Sequence, residues 1–135
     1  MNRFALLAAL LLPVTAFAEE SVDCANADTQ LEINECANLE FETADKTLNA
    51  TYAQVTAMLK GQPVALTKLR NAQRLWIQLR DADIEARYPV GKDEDPRFLY
   101  GSMYPMLYSQ AKTQLTQQRT EWLRATFIDR EEGDL

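Results

Sequence analysis

The chain has no histidine. That absence excludes a Ser-His-Asp triad, an imidazole general base and any His-ligated metal. Cysteine is nearly as scarce, with Cys24 and Cys36 the only two. Two thiolates supply half of a tetrahedral zinc site, so no metal cofactor is expected. Four glycines and five prolines suit helices better than a turn-rich sheet, and no Gly-rich phosphate loop is present. Carboxylates are plentiful, and a glycosidase needs only two placed across a cleft. No such pair stands out, and no other constellation converges. The expectation is a protein that is not an enzyme and holds no cofactor.

Long apolar runs are also missing. The only one, Phe4 to Val14, is broken by Pro13 and falls short of the roughly 20 residues that span a bilayer. It sits instead where an export signal needs its apolar centre. Arg3 supplies the positive charge before it, and Ala16-Phe17-Ala18 forms a small-x-small cleavage site after it. The reading is a cleaved signal peptide over 1–18, with cleavage after Ala18 and a mature protein in the periplasm. A membrane anchor is the rival, and the run is too short for it. No membrane insertion is expected after cleavage. The remainder suffices for one domain, here placed at 19–128 and followed by an acidic tail at 129–135.

Basic residues are absent from one region. Residues 19–45 hold nine acids and no Lys or Arg, whereas 46–135 hold eleven acids against thirteen bases. The acidic end disfavours nucleic acid and attracts cationic partners, chiefly by raising association rates. The plainer alternative is a solvated helix start, since carboxylates there are favoured by the helix dipole.

What is present is helical periodicity. Thr29-Gln30-Leu31-Glu32 has the form of a capping box. Beyond it Ile33, Ala37, Phe41, Ala44, Leu48, Tyr52, Val55 and Leu59 make an apolar stripe that ends at Gly61. Pro63 can open a second helix, whose stripe is Leu66, Leu69, Ala72, Trp76 and Leu79. Residues 89–101 are non-periodic and read as a surface loop. Ser102 is a candidate N-cap for a third helix with Leu107, Ala111, Leu115, Trp122 and Thr126 on one face. The expected fold is all-α, a three-helix antiparallel bundle made of a helical hairpin and a returning third helix.

Export places Cys24 and Cys36 in an oxidising compartment, where they are expected to pair. The chain-entropy model values a loop of about a dozen residues at roughly 3 kcal/mol. Within the helices, Trp76, Arg80 and Asp81 read as a structural motif: a core anchor with ion pairs, which Arg119 could join. Tyr100, Tyr104 and Tyr108 gather at the loop–helix junction. They suit either a core plug or a binding surface.

Five segments, taken in order, resemble the lysozyme inhibitor LprI-like domain family of secreted bacterial proteins. They are Cys24 with Thr29-Gln30-x-Glu32-x-Asn34-x-Cys36-Ala37; Ala44-Asp45-x-x-Leu48-Asn49-x-x-Tyr52; Gln73-x-x-Trp76-Ile77-x-x-Arg80-Asp81; Gly101-Ser102 with Pro105-Met106; and Leu115-Thr116-x-x-Arg119. The resemblance covers about residues 24–124. Family members often carry a second cysteine pair at the positions held here by Ile84 and Ala111. Their joint loss supports Cys24–Cys36 as one bond and predicts that Ile84 and Ala111 pack where the other would be.

The resemblance implies a protein partner, a cationic lysozyme-type enzyme, inhibited by an element that reaches its cleft. Tyr100, Gly101, Ser102 and Tyr104 are the candidate partner-binding residues on that reading. The alternative is a periplasmic immunity or adaptor protein that binds another secreted effector or an envelope component.

Overall fold

The computed structural model describes residues 22–130. The signal segment, its cleavage point and the end of the acidic tail lie outside the described residues. Four α-helices form, α1 (Gln30–Met58), α2 (Pro63–Arg87), α3 (Pro96–Tyr100) and α4 (Tyr104–Leu123). A 3₁₀ turn, Gly101–Met103, joins α3 to α4, and a π-helical turn, Arg124–Ile128, is the last element among the described residues. The fold is an all-α bundle of three long helices. No strand occurs among the described residues.

Helix α1 begins where the capping box lies. The Thr29 hydroxyl accepts from the Glu32 N–H at 3.2 Å, and the Glu32 carboxylate accepts from the Thr29 N–H at 2.8 Å. The Thr29 N–H, then its hydroxyl and the Asp28 N–H, hold the Glu32 carboxyl below its ordinary value of 4.5. A depressed folded pKa contributes stability above the unfolded value and loses it as pH falls through the folded one. The cap should therefore weaken only below 4.5. An NMR titration should show the Thr29 amide shifting with a midpoint under that value, and Glu32→Gln should abolish the shift. A midpoint above it would contradict the capping geometry.

Cys24 and Cys36 form a disulfide, with Cα atoms 5.6 Å apart. It ties the segment before α1 back onto the helix. Residues 23–26 are exposed and bury little of their own. Losing the bond should release this segment rather than unfold the bundle. The Cys24→Ser/Cys36→Ser variant is expected to lose about 1 kcal/mol, not the roughly 3 kcal/mol of the entropy model. Denaturant melts of the two proteins measure the difference, and a loss near 3 kcal/mol would mean the segment is integral to the core.

Helix α1 ends before a turn in which Gly61 takes φ +93°, a conformation that strains any side chain with a Cβ. Pro63 then occupies the first position of α2, where its missing N–H costs nothing. The helices run up, down and up, so α1 and α4 are parallel neighbours. Asn34 near the start of α1 donates to the Ser102 carbonyl at 2.9 Å just before α4. Leu48, Val55 and Leu123 meet in the core near the two helix ends, joined by Leu69 of α2. Tyr52, Leu59, Trp76, Phe127 and Ile128 close around them. The π-helical turn is what brings Phe127 and Ile128 back onto this core.

Small residues make up much of what these two helices bury: Ala37, Ala44 and Thr51 on α1; Ala111, Thr113, Thr116 and Thr120 on α4. Their short side chains let the two backbones run close, which is why α4 packs chiefly on α1. Thr113 and Thr120 can be buried because each hydroxyl donates to the carbonyl four residues back, at 2.9 and 3.0 Å. Helix α2 leans on the pair through long side chains instead.

Three expectations need correction. Leu79 and Trp122 are 59% and 45% exposed, so neither belongs to the buried face. The buried positions are Leu69, Arg80 and Ile84 on α2, and Ala111, Thr113, Thr116, Thr120 and Leu123 on α4. Ser102 is not the N-cap of the third long helix. Tyr104 begins that helix after Met103, with no side-chain cap bond, and Pro105 sits in its first turn. The 89–101 stretch is not wholly irregular, because Asp95 caps α3 by accepting from the Arg97 N–H at 2.8 Å. Ile84 and Ala111 are both buried, on helices α2 and α4.

Candidate partner-binding end

The Trp76, Arg80, Asp81 and Arg119 motif lies between the helices as a stack of cations and rings. Arg80 is 8% exposed, and its Nε donates to the Asp81 carboxylate at 2.8 Å. The Arg80 guanidinium lies 5.2 Å from the Trp76 ring centre and 6.0 Å from that of Phe41 on α1. Arg119 continues the series, 5.7 Å from Trp76 and 4.4 Å from Trp122. Its Nε donates to Gln73 at 3.0 Å, and burial lowers its pKa, though a guanidinium stays charged. Lys112 sits 4.4 Å above the other end at Phe41. These groups hold α2 against α1 and α4, and their charged ends are turned to one another or to rings. The motif is a brace.

The candidate binding residues collect at the opposite end from the core. Tyr100 stacks on Tyr104 at 5.5 Å, and Tyr88 meets both edge-on at 5.7 and 6.5 Å. The Tyr100 hydroxyl donates to the Pro89 carbonyl at 3.0 Å, pinning α3 across the end of α2. Tyr108 extends the cluster, and burial together with the nearby Asp81 carboxylate pushes its phenol pKa up. Tyr100 and Tyr104 are thus half-buried and already engaged within the domain. Gly101 and Ser102 are exposed, and Gly101 takes φ +71° at the bend. The bond from Asn34 braces that bend against α1.

What faces solvent most strongly there was not among the expected residues. Phe98 is 91% exposed, with Leu99 at 48% and Met103 at 42%. A helix of one turn, held by Asp95, Pro96 and the Arg97–Asp95 ion pair at 2.7 Å, presents this apolar tip. A signal for it existed in the sequence. Phe98 and Leu99 fit no helical stripe and stand inside a charged, proline-flanked loop, where an apolar pair has no core to enter.

The acidic region begins at the same end and runs to the middle of α1. Residues 22–45 carry seven acids, Asp23, Asp28, Glu32, Glu35, Glu40, Glu42 and Asp45. Among the described residues none forms an ion pair with a base. Their hydrogen-bond partners are neutral, as for Glu42 with Asn38 and Asp45 with Asn49, both 2.9 Å. The segment holds no base of its own before Lys46, the nearest cation from another helix being Lys112 over Phe41, and the Asn34–Ser102 bond joins its start to the apolar tip. An acidic flank beside an exposed aromatic is suited to a cationic protein surface with an apolar recess. No cluster of acids or cysteines among the described residues could hold a metal ion.

The comparisons agree with this architecture. The family model described as Lysozyme inhibitor LprI matches residues 22–123, which takes in the disulfide and all four helices. The chain is 34% identical over 129 residues to uncharacterized protein R02472 of Rhizobium meliloti (strain 1021), covering 85% of this chain and 88% of that one. No solved structure matches. On the family match, the chain belongs to the lysozyme inhibitor LprI family.

Proposed function

We propose that this protein is exported to the periplasm, after cleavage at Ala18, and there binds and inhibits a cationic lysozyme-type enzyme, protecting the cell wall without chemistry of its own. The observation that carries the reading is a run of seven acids, none in an ion pair among the described residues, that starts beside the apolar tip of Phe98, Leu99 and Met103. The acids speed encounter with a basic enzyme, and the tip supplies the desolvated contact that retains it. Family membership supports the same partner class. Mature protein added to a turbidity assay of wall lysis should slow clearing at near-stoichiometric ratio. Unaltered lysis by several lysozyme types at large molar excess would sink the proposal. A different protein recovered repeatedly from periplasm would then favour the adaptor role.

A further inference from the structure

Helix α2 has two apolar faces, and the bundle uses one. Leu69, Trp76, Arg80 and Ile84 turn inward. Leu75 and Leu79 stay 64% and 59% exposed, about a third of a turn round the helix. With Ala72, Ala82 and Ala86 they recur in seven-residue steps, 75 to 82 and 72 to 79 to 86. Such spacing is the seam of a pair of packed helices. Beside Ala82 and Ala86 opens a groove of about 780 Å³, walled also by Tyr104, Tyr108 and Val90. One helix therefore carries both an unpartnered knob and an unpartnered hole.

The charges on α2 indicate what fills them. Its first half carries Lys68, Arg70 and Arg74 and no acid, whereas its second carries Asp81, Asp83 and Glu85 against Arg80, which is buried, and Arg87. The helix dipole favours the reverse order, so stability of the lone helix does not account for it. Within the chain, only Asp81 of these acids forms an ion pair among the described residues, with Arg80. A second α2 laid antiparallel sets the basic half against the net-acidic half, whereas a parallel copy sets basic on basic. At 100° per residue, Arg74 and Glu85 share one flank of the stripe, and like flanks meet in an antiparallel pair.

We infer that α2 is a self-association surface on which two copies of this chain pair antiparallel about a two-fold axis near Leu79. Each copy seats Leu75 against Ala82 and Ala86 of the other and brings Arg74 to the other's Glu85. The arrangement is isologous and closes at two copies. A basic partner has no comparable reason to choose this face, since its flanks carry both signs.

Sedimentation equilibrium of the mature protein from about 1 to 100 µM should show conversion from monomer to twice that mass. Leu75→Asp/Leu79→Asp should stay monomeric throughout with unchanged helical circular dichroism, because both side chains are exposed in the single chain. Arg74→Glu and Glu85→Arg should each weaken the dimer at least tenfold, and the combined exchange should restore it. Three results overturn the inference: a monomer at every concentration, a dimer that survives the double aspartate change, or a charge exchange that fails to restore pairing.

Discussion

Leu123→Ala is expected to cost about 3–4 kcal/mol of unfolding free energy, whereas Trp122→Ala, one residue away and with the larger side chain, costs about 1 kcal/mol. Leu123 is fully buried in the cluster with Leu48, Val55 and Leu69. Its truncation leaves a cavity between three helices that cannot all collapse onto it, so a cavity cost adds to the lost transfer energy. Trp122 is 45% exposed and meets Phe127 edge-on at 5.8 Å and the Arg119 guanidinium at 4.4 Å. Its removal forfeits those two contacts and about half of a ring's burial, but at the surface it leaves no closed cavity. Paired denaturant melts measure both. If the Trp122 change proved the costlier, α4 would present a different face to the core from the one described.

That reversal marks where sequence reading reached its limit. The α1 stripe was legible because all but Thr51 of its buried positions, Ala37, Ala44, Leu48 and Val55, are apolar and fall at helical spacing. On α4 the buried face is largely threonine, and no apolar count finds Thr113, Thr116 and Thr120. Those residues are inside because they are small and because helix carbonyls take up the hydroxyl protons of Thr113 and Thr120. On α2 the stripe was read through Trp76 to Leu79, while the inward face runs through Trp76 to Arg80 and Ile84. An arginine qualifies for that face only when rings and a carboxylate are there to receive it, as Phe41, Trp76 and Asp81 are. Two of these three lie beside it in sequence, but Phe41 arrives from α1. Tertiary structure supplies what local pattern lacks.

The candidate site divides in the same way. The tyrosines at the loop–helix junction could be located in sequence, but not their orientation. The structure turns Tyr100 and Tyr104 toward each other and Tyr88, and leaves Phe98 outside. Proline and aspartate at 95–96 were visible as loop signals. Their use as the cap and first turn of a short helix was not, because one turn of helix has too few residues to show periodicity. The acidic segment was legible outright, since an imbalance of charge needs no fold to be counted.

The functional consequence can be measured in the tip and the acids separately. Phe98→Ala is expected to weaken inhibition of a lysozyme-type enzyme by about 30- to 150-fold, the scale of 2–3 kcal/mol for an aromatic buried at an interface centre. Stability should be unaffected, because the ring buries almost nothing within the domain. The loss should fall on the dissociation rate and persist in high salt, as befits an apolar contact. Neutralising exposed acids, as in Glu35→Gln/Glu42→Gln, should instead slow association by a few-fold at low salt and have no effect once salt screens the field. The two kinds of variant thus leave distinct kinetic signatures, read by stopped-flow binding at two ionic strengths. Inhibition by Phe98→Ala equal to that of the parent would remove the tip from the interface. A salt-independent effect of the acids would remove long-range attraction from the mechanism. On the proposed function, the flank of α1 draws the partner in and a single turn of helix holds it, and these two kinetic phases are what the experiment separates.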